Sequence, residues 1–171
     1  LDFNKDVFGH LSSLLKCFNI AKENKGDLIF FLEDDYLHKE TMIEEMILTY
    51  ERISSQVNNE LILVPSDYPL LYMNERSTSV LAGSHRHWQT LDTVLCSFMT
   101  SKKILEIYWG NFLLTCQNHN EPIEKYLNEI CKKEICLSPI PSLSVHLANA
   151  NSIFGISPYI DIRKEWDNNK N

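Results

Sequence analysis

A mixed α/β sheet with helices on its faces is the fold this sequence predicts, on three observations. LIFFL at 28–32 is an unbroken apolar run ending in Glu33, Asp34 and Asp35, the pattern of a strand buried on both faces that surfaces at a charged edge. ELILVPSDYP contains a second such run, stopped by Pro65 and the turn formers Ser66 and Asp67. Apolar residues at helical spacing flank the first run on either side, so helices and strands alternate as in an open sheet. Ligands of such sheets bind beyond the carboxyl ends of the strands, where the three carboxylates stand.

The elements follow in order. Phe8, Leu11, Leu14, Leu15, Phe18 and Ile20 predict a helix through Glu23, with Lys25, Gly26 and Asp27 as its stop. LIFFL is expected as the central strand. Met42, Ile43, Met46, Ile47, Tyr50 and Ile53 mark an amphipathic helix from Lys39 to about Ser54, whose early acidic residues suit the helix dipole. Extended segments are expected near Ser77 to Ala82 and Thr93 to Met99. KKILEIYWGNFLLTC and PIEKYLNEICKK read as helices, the second opened by Pro122; ICLSPIPSLSVHL reads as partly extended, and the polar tail DIRKEWDNNKN as frayed. With 171 residues, no internal repeat and no low-complexity linker, the chain is expected to be a single domain over 1–171.

Composition narrows the function classes. A formal charge of −7 without a basic patch argues against a nucleic-acid partner. No apolar stretch has the length of a membrane span. Five cysteines without a CxxC pair, set mostly in apolar stretches, point to reduced buried thiols and a cytoplasmic site rather than a zinc cluster. An acidic protein still binds an anionic nucleotide when a divalent cation lies between its carboxylates and the phosphates.

Three adjacent carboxylates repel one another, and burying any of them is costly without a cation. Taken alone, the triplet reads first as a solvated loop or a helix cap. In context, FFLEDDYLHKETMIEEM resembles the aspartate-rich metal motif of GT-A type glycosyltransferases, in its EDD form as in N-acetylglucosaminyltransferase-type enzymes. The resemblance implies that Asp35 is the direct ligand of Mn2+ or Mg2+ and that Asp34 supports the metal or the sugar. Glu33 would face the ribose or the sugar hydroxyls. PSLSVHLANANSIFG resembles the PSL-x-x-H-x-G-x-x-S segment of the same enzymes, which gives His146 the role of a further metal or diphosphate ligand. The usual glycine is replaced by Leu147-Ala148, and a histidine held by hydrogen bonds on a core strand is the competing reading.

The stretch from Ser66 to Leu105 resembles the acceptor side of phage and bacterial glycosyltransferases with an EDDYLH motif. This places the acceptor-side region at 65–121, between a metal motif at 28–38 and a C-terminal segment at 135–160. Tyr68, Tyr72 and above all Trp88 are candidates for stacking on sugar, and His85 and Arg86 for contact with the diphosphate or an anionic acceptor. An inverting transfer needs a carboxylate base. Glu121, before Pro122 at a helix start, is the first candidate, with Asp67 and Asp92 as rivals. A retaining transfer needs none.

The family's domain begins with a nucleotide-binding βαβ segment, and this chain is expected to lack those first strands. The function implied is transfer of a sugar from a nucleotide-diphosphate donor to a saccharide or glycoconjugate acceptor. A non-catalytic sugar- or nucleotide-binding module of the same fold is the second reading. A metal-dependent phosphohydrolase is the third.

Overall fold

The structure, a computed structural model, describes residues 9–94, 97–117, 122–147 and 160–170. Six strands form one mixed sheet: β1 (Leu28–Phe31), β3 (Leu61–Leu63), β4 (Val80–Ala82), β5 (His87–Leu91), β6 (Phe98–Ser101) and β7 (Ile135–Ile140), in the order β1-β6-β3-β7-β5-β4. A separate ribbon pairs β2 (Tyr36–His38) with β8 (Ser144–His146). Strands β1 and β3 both run antiparallel to β6, and β7 runs parallel to β3. The carboxyl ends of β1, β3 and β7 therefore lie along one end of the sheet.

Both faces are covered. Along each central strand alternate side chains serve opposite cores, as the two-residue period of a strand requires. Ile62 and Val64, with Cys136, join Phe18 and Ala21 of α1 (His10–Glu23), Ile104 and Leu105 of α3 (Lys102–Ile107), Phe112 of α4 (Trp109–Thr115) and Leu127 and Ile130 of α5 (Lys125–Cys131). Leu61, Leu63, Met99 and Leu137 face the other way, against Met42, Met46, Tyr50 and Ile53 of α2 (Met42–Val57) and against Trp88. In the first core Phe18 meets Phe31 and Phe112 edge to face, with ring centroids 5.0 and 4.9 Å apart. Such pairs add about 1 kcal/mol each beyond simple area burial.

Several expectations are corrected. LIFFL is not central: β1 is an outer strand of the sheet, paired only with β6 among the described residues, and Leu32 is exposed. An apolar run reports that both faces of a strand are covered, and says nothing of how many edges are paired. The long helix after Ser101 breaks at Tyr108 (φ −102°, ψ 21°) into α3 and α4. Pro122 stands three residues ahead of α5, where its carbonyl accepts from the Lys125 amide.

The tail does not fray within the described residues: it forms α6 (Ile162–Asn168), whose first turn is capped by the Asp161 carboxylate on the Lys164 amide. Asn169 Nδ2 ties it to the His38 carbonyl, and Glu165 lies 3.7 Å from Lys39 Nζ. The thiols are not all reduced either, since Cys131 and Cys136 form a disulfide between the end of α5 and the start of β7. Cys17 is exposed and free, Cys116 is buried and free, and Cys96 lies outside the described residues. The inference from reduced thiols to a cytoplasmic site thus loses its premise. No helix among the described residues is long and apolar enough to cross a membrane.

Candidate metal centre

Three chain segments converge at the carboxyl end of the sheet. After β1 the backbone turns through Glu33, Asp34 and Asp35 into β2, and the turn is pinned where the Glu33 amide donates to Ser97 Oγ at 3.0 Å. After β7 the chain passes Pro141 to Leu143 and enters β8. The Leu143 amide donates to the Pro65 carbonyl beyond β3, and the Asp67 amide donates to Ser142 Oγ. The ribbon aligns Tyr36 with His146, Leu37 with Val145 and His38 with Ser144. One step further, the Leu147 amide donates to the Asp35 carbonyl at 2.8 Å.

This register brings Asp35 and His146, 111 positions apart in sequence, into contact: Nε2 of His146 lies 2.8 Å from Asp35 Oδ2. With the carboxylate as acceptor, Nε2 carries the proton. Glu33 completes the group, and one ligand atom from each of Glu33, Asp35 and His146 lies within 4.8 Å of the others. Two carboxylate oxygens and an imidazole nitrogen suit a hard or borderline divalent cation such as Mn2+ or Mg2+. A cation held here would take the place of the hydrogen bond between His146 and Asp35. The cluster is partly open, with the His146 side chain 13% and that of Asp35 40% exposed. A groove of about 870 Å³ between α1 and β1, lined by Leu14, Cys17 and Ile29 among others, reaches Glu33, Asp34 and Asp35.

The metal pair expected from sequence, Asp35 and His146, is thus brought together, but the third member differs. Asp34 is exposed and outside the cluster, and Glu33 takes its place. The chain turns at Asp34 and Asp35 before entering β2, which leaves Asp34 at the exposed tip while Glu33 and Asp35 on either side of it approach His146.

On the acceptor side, Trp88 is wholly buried in the α2-side core and its indole N–H donates to Glu45 Oε1, so it presents no face to a sugar. Tyr68 is buried as well, with its hydroxyl 2.9 Å from that of Tyr36. Arg86 Nη1 donates to the Pro141 and Ser142 carbonyls, which makes it a strut under the loop leading to β8 rather than an open diphosphate ligand. His85 is mostly exposed, but its Nδ1 lies 2.9 Å from Glu45 Oε2. Tyr72 is half exposed and donates to both oxygens of Asp67. Asp92 lines a second pocket together with Arg76 and Thr90. Glu121, the first candidate base, lies outside the described residues.

Sequence reasoning missed Glu45. It stands in the first turn of α2, where an acid usually meets solvent and the helix dipole, yet it is 2% exposed. Burial pushes its carboxyl up, and hydrogen bonds from the His85 amide, the Trp88 indole, the His85 ring and Thr49 outweigh this, holding it below the ordinary value. A carboxylate so satisfied clamps the β4–β5 turn onto α2. No sequence pattern marks it, because Glu44 and Glu45 are equally plausible surface acids and only the register of α2 separates them.

Asp67 behaves oppositely. Burial pushes its carboxyl from 3.8 up to about 6, against the lowering effect of the Tyr72 and Gln89 hydrogen bonds and of Arg76. The folded chain therefore keeps this proton at pH values where the unfolded chain has lost it. Stability falls as pH rises from about 4 to about 6, by a total of about 3 kcal/mol. Asp67→Asn removes the titration. Urea unfolding at pH 4, 5, 6 and 7 is expected to show the variant gaining on the parent across that range, and a difference independent of pH would contradict it. A carboxyl titrating near neutrality suits a general base, but Asp67 is only 4% exposed and both its oxygens are engaged.

Comparison of the chain with protein-family models, with curated proteins and with solved structures finds no match.

Proposed function

We propose that the chain is the metal- and acceptor-binding part of a GT-A type glycosyltransferase, which moves a sugar from a nucleotide-diphosphate donor to a saccharide or glycoconjugate acceptor. Glu33, Asp35 and His146 would hold Mn2+ or Mg2+. The observation carrying this reading is the meeting of two segments that each resemble a separate motif of that family. The strand-end EDD and the PSLSVH histidine are 111 positions apart, yet they join in one donor set. The cation would neutralise the diphosphate leaving group. The adjoining groove has the volume usual for a small-molecule site. Among the protein's own groups, Asp35 and Glu33 supply charge, His146 a neutral nitrogen, and Ser97 and the β2–β8 ribbon hold them in place.

A non-catalytic binding module of the same fold is the second reading. The closure of Asp67 by Tyr72 and Gln89 favours it, since that leaves this candidate base without access to an acceptor hydroxyl. Calorimetric titration with a panel of nucleotide sugars, with and without Mn2+, tests the shared premise. Binding heat is expected only with the metal and is abolished by chelator; equal binding without metal would sink the proposal. Release of nucleoside diphosphate upon acceptor addition separates an enzyme from a binding module.

A further inference from the structure

A metal-binding histidine needs its ring plane fixed, because rotation about χ2 swings Nε2 away from the other donors, and outer partners usually supply that restraint. His146 is the last residue of a three-residue strand, where the ribbon fixes its backbone but not the rotation of its ring. We infer that Tyr36 is the positioning residue that holds the His146 imidazole toward Asp35 and Glu33; the inference rests on the metal reading above.

Tyr36 and His146 are direct cross-strand partners on one face of the ribbon. Their rings are stacked, with centroids 4.6 Å apart and planes within 4°. Tyr36 also lies nearly parallel to the His38 ring, at 6.1 Å and 7°. The three planar rings are nearly parallel and tied at several points. The Tyr36 hydroxyl bonds to that of Tyr68 at 2.9 Å, His38 Nδ1 lies 2.6 Å from Ser144 Oγ, and His146 Nε2 meets Asp35. Tyr36 is only 7% exposed and has no room to leave the stack. The stack leaves the imidazole two orientations related by a flip, and Asp35 selects the one with Nε2 in the cluster.

The test uses the whole chain with Mn2+ followed by electron paramagnetic resonance, and side-chain NMR of His146 in the metal-free protein at a pH where the ring is neutral. Tyr36→Leu, which removes the stack, is expected to weaken Mn2+ binding about 10- to 100-fold and to average the His146 ring-nitrogen signals between tautomers. Tyr36→Phe keeps the ring and is expected to restore both, to within about threefold in affinity. A merely structural role would not give that pairing of tautomer signal and rescue. Folded Tyr36→Leu with parental affinity and unchanged ring signals overturns the inference. Should Tyr36→Leu not fold, the parent decides, because imidazole C–H protons lying against the Tyr36 ring are displaced upfield and unshifted protons refute the stack. If the parent binds no Mn2+, the metal reading fails separately, and the ring signals still decide whether Tyr36 orients His146.

Discussion

Trp88→Ala is expected to lower the free energy of unfolding by about 4 kcal/mol, within the usual range for emptying a large aromatic site in a core. The indole is wholly buried among Met46, Leu63, Met99 and Leu137, so no solvent contact survives to soften the loss. Two local features add to the cost. Its N–H is one of the donors satisfying the buried Glu45 carboxylate, which the variant leaves one bond short. Gly83 is shaped to it, since a Cβ there would lie 2.3 Å from Trp88 Cδ1 and 2.7 Å from Thr49 Oγ1. Trp88→Phe, which fills most of the space but donates nothing to Glu45, is expected to cost about half as much. Urea unfolding of the three proteins, with equal m values confirming a common mechanism, checks the order. A Trp88→Ala variant within about 1 kcal/mol of the parent would return the indole to the surface and to its sequence-based role in sugar stacking.

The tryptophan also shows where sequence reading succeeds and where it stops. LIFFL and LILV announced strands covered on both faces, and the helical periodicities of α1 and α2 announced the layers that cover them, because burial leaves its mark in the spacing of apolar residues. Pairing leaves no such mark. The outer position of β1, the place of β3 and β7 in the middle of the sheet and the ribbon of β2 with β8 depend on long-range register. YLH and SVH are too short to announce themselves as strands. The burial of single polar-stretch residues leaves the weakest mark in a sequence. Trp88 in a polar stretch looked like a ligand contact and is core, whereas Glu45 in an exposed-looking first turn is a buried clamp. Asp35 and His146 were legible only through the motifs they resemble, and their contact comes from the ribbon that the sequence did not reveal.

The sharpest expected difference within the acidic triplet separates Glu33 from Asp34. Replacing outer partners of a bound metal commonly costs 10- to 100-fold in affinity, so loss of a direct donor is expected to cost about 100-fold or more. Asp35→Asn and Glu33→Gln should therefore each weaken Mn2+ binding at least to that extent, since both belong to the proposed donor set. Asp34→Asn removes only an exposed charge outside the set. At roughly 8 Å in water a unit charge acts on a divalent cation with about 1 kcal/mol before screening, so the effect should stay within about sixfold at low salt and shrink as salt is added. Mn2+ titrations at two ionic strengths read all three variants in one experiment. The salt series matters because it distinguishes a ligand from a neighbour: a coordinated oxygen is little screened, whereas a solvent-separated carboxylate is screened almost entirely at 1 M salt. If Asp34→Asn proves as damaging as Asp35→Asn, and Glu33→Gln mild, the turn after β1 binds metal in a different conformation, with Asp34 rather than Glu33 beside Asp35 in the donor set.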